Sequence, residues 1–186
     1  MTKILATRRP LLIVDCFAGK GKFDDGNDGS PLIILKNVLN TSSKYKNARV
    51  FCAFIEKKYH KDLEANVATF LTNKFPKVKV FKGTFEENVD NLIQKLDSNF
   101  NVFLYVDPYG HKSLGFSRFK RIKNKGFNSV EMLINFNTFG FLREGCRLFC
   151  QGKIPLGPYS LCCYVCDEYC NSPYIQQLPG KLQRNL

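Results

Sequence analysis

The sequence predicts a doubly wound α/β fold on a mostly parallel sheet. Short apolar runs alternate with amphipathic stretches from Leu11 to Phe136, and the first run breaks directly into a glycine-bearing loop. A chain of 186 residues with an apolar fraction of 44% is long enough for one domain with a core of packed secondary structure. No internal repeat or low-complexity tract interrupts it.

Leu11 to Val14 is a continuous apolar run, as a strand buried on both faces of a parallel sheet reads. Ser30-Pro31 supplies an N-cap and a proline at the first helical position, opening a helix through Leu39. Arg49 to Ile55 is the second strand. Tyr59, Leu63, Val67 and Leu71 then recur every four residues as the core stripe of a helix, and Lys74 to Lys77 closes that unit. Val78 to Phe81 is a short third strand, followed by helical spacing at Phe85, Val89, Leu92, Ile93 and Leu96. Val102 to Val106 is the fourth strand, bounded by Asp107-Pro108. Phe116, Phe119 and Ile122 mark a short basic helix, and Val130 to Phe136 is the fifth strand. This rhythm implies right-handed crossovers and helices on both faces, a Rossmann-like arrangement. Residues 1–150 are expected to form this α/β domain. Residues 151–186, rich in Gly, Pro, Cys and Tyr without sustained periodicity, form an irregular tail.

Lys and Arg outnumber Asp and Glu by 28 to 16, a net charge of +12. Such a chain is drawn to polyanions, because neutralised phosphates release condensed counterions, and nucleic acid is the natural partner class. Charge alone is equally compatible with a basic soluble surface. No run reaches the ~18 apolar residues of a membrane span, and Met1 to Pro10 lacks a long apolar signal core, so a cytoplasmic location without membrane partners is expected. Its eight cysteines are then reduced thiols. Cys16 and Cys52 sit in apolar strands, the other six between Cys146 and Cys170.

The chemistry gathers first at Asp15-Cys16-Phe17-Ala18-Gly19-Lys20-Gly21, where a strand ends in a carboxylate and two glycines. Ligands of such sheets bind at the carboxyl ends of the strands. A phosphate-binding P-loop requires Gly-Lys-Ser/Thr, but Gly21-Lys22 is followed by Phe23. A dinucleotide site requires a helix opening at once, whereas Asp24-Asp25-Gly26-Asn27-Asp28-Gly29 intervenes and would repel a pyrophosphate. S-adenosylmethionine has no phosphate and carries a sulfonium cation, so an acidic glycine loop suits it. Asp15, Phe17, Ala18, Gly19 and Gly21 are its expected contacts. Glu56, at the tip of the second strand, can accept both ribose hydroxyls; as a plain strand-end charge it would be solvated. Thr84 and Phe85, after the third strand, flank the adenine, or Phe85 is a core residue of the next helix. No set of residues is assigned to a metal.

Asp107-Pro108-Tyr109-Gly110 ends the fourth strand, which lies beside the first if the sheet is ordered as in other doubly wound folds. An exocyclic amine delocalises its lone pair into its ring, so acceptors for its N–H bonds help to expose it. Asp107 and the Pro108 carbonyl are the expected acceptors, with Tyr109 stacking on the base at ~1–3 kcal/mol. His111, next to Asp107-Pro108-Tyr109-Gly110, is placed to line this site; His60 is expected at the surface.

Taken in order, the Asp15 to Gly21 loop, Gly29-Ser30-Pro31-Leu32, Phe54-Ile55-Glu56-Lys57, Val106-Asp107-Pro108-Tyr109-Gly110 and Leu133-Ile134-Asn135-Phe136 resemble the three-Cys-motif partner protein family, from Leu11 to about Arg143. The resemblance implies a domain like the class I S-adenosylmethionine-dependent methyltransferases and a three-cysteine partner protein, without naming a reaction. The chain departs from the family in stopping its match after Arg143, as a C-terminally truncated or divergent member or one with a disrupted reading frame would. It also lacks the Asp-Pro-Pro-Tyr of adenine-N6 methyltransferases, and Thr84 stands where many class I enzymes carry an acid. In the tail, Cys163, Cys166 and Cys170 give C-x2-C and C-x3-C spacings. Without paired knuckles, these favour free thiols over zinc. The expected function is an S-adenosylmethionine-binding methyltransferase-like protein acting on a nucleic-acid base. The alternative is an inactive methyltransferase-fold module working through a partner protein.

Overall fold

Five strands form one sheet in the computed structural model, which describes residues 2–42, 44–45, 49–71, 77–108 and 116–135. They are β1 (Leu11–Asp15), β2 (Val50–Glu56), β3 (Val78–Lys82), β4 (Asn101–Val106) and β5 (Ser129–Ile134). Their order is β3-β2-β1-β4-β5 and every neighbouring pair is parallel. Parallel strands need crossovers, and α2 (Ser30–Ser42), α3 (His60–Ala68), α4 (Phe85–Gln94) and α5 (Phe116–Asn124) supply them; a short α1 (Thr2–Ala6) precedes β1. The described elements belong to one unit, Met1–Pro108 with Ser117–Asn135.

Central position explains the composition of β1. All five of its residues are buried, since it has a strand on each side and cover on both faces. Leu11 and Ile13 join Val50, Cys52 and Phe54 of β2 in a cluster closed by Leu32, Leu35 and Val38 of α2 and Leu63 and Val67 of α3. Residues of the opposite parity, Leu12, Val14, Ala53, Ile55, Val102, Leu104 and Val106, are buried as well. The buried stripes of the helices after β3 and β4 are Phe85, Val89 and Ile93 on α4 and Phe119 and Ile122 on α5, and Phe85 stacks on Phe119. Among the described residues no helix is long and apolar enough to cross a membrane.

The strand-helix alternation and the place of β4 beside β1 agree with the sequence. Several details differ. Leu71 is not part of the α3 stripe: the helix ends at Ala68, the cap N–H of Thr69 turns back to Val67, and Leu71 is 49% exposed. The helix α1 has no sequence signal, and α2 runs three residues beyond Leu39. The fifth strand opens one residue early, at Ser129, whose hydroxyl donates to the Asn101 side chain; Asn128 does the same and accepts from Arg9. Phe136, residues 72–76 of the α3 to β3 connection, Tyr109, Gly110, His111, the six C-terminal cysteines and the tail at 151–186 lie outside the described residues.

Candidate functional site

The order β3-β2-β1-β4-β5 reverses direction between β1 and β4, and a crevice at the carboxyl ends of the strands is expected at such a switch point. Asp15 closes β1, Glu56 closes β2 and Asp107 follows β4. Strand register sets them on one face. Asp15 is paired with Phe54 on one side and Tyr105 on the other, and Tyr105 is paired with Leu133. Two residues further along, where the same face recurs, stand Glu56, Asp107 and Asn135.

The loop after β1 consumes its own donors. The Cys16 N–H donates to the Tyr105 carbonyl at 2.9 Å, and Phe17 N–H to Asp15 Oδ1 at 3.3 Å. Ala18 N–H donates to the Ile55 carbonyl at 3.0 Å, and Gly19 N–H to Glu56 Oε2 at 2.9 Å. Four successive amides are thus tied to carbonyls of β2 and β4 and to two carboxylates. A phosphate cradle needs such amides turned outward, so this loop has the wrong construction for one.

The two glycines differ in purpose. Gly19 has φ +62, which favours glycine, and a Cβ there would meet nothing within 4 Å, so its outer side is open. Gly21 has φ +83 and is buried; a Cβ there would stand 3.0 Å from Leu63 Cδ1, so its role is close packing on α3. Asn66 of α3 fixes the same turn by donating to the Lys20 carbonyl at 2.8 Å.

Asp15 is fully buried, and burial pushes its carboxyl up to about 6, against the lowering effect of hydrogen bonds from the Ser30 hydroxyl and the Phe17 N–H; the charges of Asp107 and Glu56 push it further up. The Ser30 hydroxyl donates to Asp15 Oδ2 at 2.6 Å, so the residue expected to cap α2 through its side chain serves the carboxylate of β1 instead. Glu56 is only 9% exposed, which removes the solvated strand-end alternative. Its Oε1 accepts from the N–H groups of Lys58 at 2.7 Å and Tyr59 at 3.0 Å, while Oε2 holds Gly19. Glu56 therefore staples the glycine loop to the start of α3. Beside it, the Lys20 and Lys58 ammonium groups lie 5.1 and 4.9 Å from the Tyr59 ring centroid.

Asp107 has a donor on each oxygen: Asn135 Nδ2 to Oδ1 at 3.1 Å and the Tyr105 hydroxyl to Oδ2 at 3.3 Å. Pro108 is half-buried next to it. Thr84 caps α4 through a reciprocal box, its hydroxyl accepting from Glu87 N–H at 3.2 Å while Glu87 Oε2 accepts from Thr84 N–H at 2.7 Å. Phe85 is 1% exposed, with its ring 6.0 Å from those of Phe17 and Phe119, so of its two expected roles the packing one is realised. Burial also pushes the Cys16 thiol well above its ordinary value and that of Cys52 up to about 12, leaving both as unreactive core groups.

The sequence thus located Asp15, Gly19, Glu56 and Asp107, which the sheet brings together. It missed Ser30, Tyr105 and Asn135 as their partners. Tyr105 had a signal in its place two residues before Asp107 and hence on the same strand face, while Ser30 and Asn135 stood in the motifs quoted above with nothing to say which side chains they would meet. Among the described residues no group of three or more His, Cys, Asp or Glu is arranged to hold a metal. No protein-family model, curated protein or solved structure matches the chain.

Proposed function

We propose that the chain binds S-adenosylmethionine across the ends of β1 and β2 and directs methyl transfer to an amine of a nucleic-acid base held beside Asp107. One observation carries this reading: Asp15, Glu56 and Asp107 stand on one face at the switch point, beside a loop whose amides are already spent. Such a site favours a phosphate-free, positively charged ligand. The residues fit the group: Gly19 leaves open space, Asp15 offers negative charge, and the Asp15 and Asp107 oxygens and Glu56 Oε2 each have a lone pair beyond their present bond, whereas Glu56 Oε1 is filled by two backbone N–H groups.

When bound, S-adenosylmethionine supplies a methyl carbon on a sulfonium leaving group. The protein has to align and to exclude water, and no nucleophilic side chain is required. Asp15 attracts the positive charge, and Glu56 Oε2 accepts from one ribose hydroxyl while holding Gly19 in place, the pairing with both hydroxyls being closed off at Oε1 by the Lys58 and Tyr59 amides. Asp107 accepts an acceptor N–H, and the Pro108 carbonyl accepts the other. The net charge of +12 favours a polyanionic acceptor.

Calorimetric titration tests the cofactor: absence of binding to folded protein rejects it. Glu56→Ala should weaken binding through the ribose, and Asp107→Ala should spare binding while removing transfer. Binding without transfer to DNA, RNA or a co-expressed partner would support the inactive module that acts through a partner protein.

A further inference from the structure

The face that carries Asp15 is covered over β1 and β2 by α2 and α3; over β5 no described element covers it, and Glu131, Leu133 and Asn135 are exposed, Leu133 to 54%. Among the described residues nothing covers this apolar side chain beside the buried-end carboxylate. Leu133 is the cross-strand partner of Tyr105, which is half-buried, and Tyr105 is the partner of Asp15. Parallel strands are spaced by about 4.8 Å, so Asp15, Tyr105 and Leu133 span roughly 10 Å along one rung. Above that rung stand Asp107 and Asn135, joined by a hydrogen bond.

We propose that Tyr105, Leu133, Asp107 and Asn135 form a subsite for a flat heteroaromatic ring that carries an exocyclic amino group beside a ring nitrogen. Tyr105 and Leu133 are its floor, and Asp107 and Asn135 read its edge. Asp107 is fixed by donors on both oxygens, each of which retains a lone pair for a ligand N–H. Asn135 spends one amide hydrogen on Asp107 and has a second for a ring nitrogen. Asp15 and Glu131 on the same face make the surroundings acidic, which turns away phosphate and carboxylate ligands and favours an N–H donor. The backbone N–H of Asn135 donates to the Val106 carbonyl at 2.8 Å, so the residue is held at the level of Asp107. Calling this ring the methyl acceptor rests on the function proposed above; its binding does not.

The test uses the full chain labelled with ¹⁵N and with ¹³C in leucine methyls, with and without S-adenosylhomocysteine. Adenosine and cytidine are compared with inosine and uridine, which replace the amine by a carbonyl. The amino nucleosides should shift the Asn135 side-chain amide and the Leu133 methyls and bind at least about tenfold more tightly than their carbonyl counterparts. Asn135→Ala should abolish that discrimination, and Leu133→Ser should weaken all ring binding, neither disturbing the fold because both side chains are exposed. Equal binding of all four nucleosides, binding that leaves these signals unmoved, or no binding at the solubility limit would each overturn the proposal. S-adenosylmethionine added to the same sample should shift Gly19. Failure of that shift alone rejects the cofactor and leaves the ring subsite standing.

Discussion

Replacing Asp15 by Asn separates the cost of the buried charge from the packing around it. The amide can keep both contacts, its oxygen accepting from Phe17 N–H and its nitrogen donating to the Ser30 hydroxyl. What disappears is the proton equilibrium. The folded Asp15 titrates at about 6 against an ordinary value of 3.8. Between those values the folded protein keeps a proton that the unfolded chain has released, so stability falls as pH rises. It is level on either side. The fall amounts to on the order of 3 kcal/mol across that window. Other carboxylates titrate in the same range, so the quantity to measure is the difference between native protein and Asp15→Asn, from urea unfolding followed by far-UV circular dichroism at a series of pH values. That difference should shift in favour of the variant by about 2.4 kcal/mol from pH 4 to pH 7, the rest of the fall lying below pH 4. Parallel curves would refute the claim that burial dominates at Asp15.

The same group governs ligand binding: affinity for S-adenosylmethionine should rise by roughly tenfold as pH passes upward through about 6, as calorimetry would read, and the rise should be missing in Asp15→Asn. Glu56→Ala strands the N–H groups of Gly19, Lys58 and Tyr59 and should cost about 2 kcal/mol in urea unfolding. Gly21→Ala forces a Cβ against Leu63 at positive φ and should cost about 1–3 kcal/mol by the same measurement, and Leu63→Ala should cost less in that background than in the native protein. Thr84→Ala removes the hydroxyl of the capping box and should cost about 1 kcal/mol, with S-adenosylmethionine affinity unchanged.

The inner strands β1, β2 and β4 were readable because each carries an unbroken apolar run, β1 with no polar residue before Asp15, whereas β3 and β5 are interrupted by Lys79 and Glu131 and were read from their place in the alternation. The α4 face was readable over Phe85, Val89 and Ile93, but the expected stripe ran on to Leu96, past the Lys95 cap. The stripe of α3 was overextended at Leu71 because four-residue spacing continues in the sequence after the backbone has turned at Thr69. Periodicity records which positions are apolar, not where the hydrogen bonds stop. The same limit applies to Ser30 and Phe85. A serine before a proline reads as a cap for its own helix, but Ser30 stands inside the first turn, where Ile33 N–H donates to the Gly29 carbonyl, and its hydroxyl donates to the Asp15 carboxylate brought near by the β1 to α2 loop. Phe85 follows a strand end and fits either role until the rings of Phe17 and Phe119 are found against it.

Partners across strands are illegible for a different reason: they depend on register. Nothing in the spacing of Asp107 and Asn135 says that their side chains meet, since a shift of one residue in the pairing of β4 with β5 would place Asn135 on the other face. Register here is set remotely, at the opposite end of the sheet, where Asn128 and Ser129 both donate to the buried Asn101. Weakening that anchor should therefore act on the site from a distance. Asn101→Ala leaves those two donors without their acceptor in a part of the sheet far from Asp107. If the anchor fixes the register, the Asn135 side-chain amide resonance should broaden or move in this variant while that of Gly19, held by β1 and β2, stays in place. An Asn135 signal that does not respond would mean that the apolar pairs of β4 and β5 fix the register without the amide cluster.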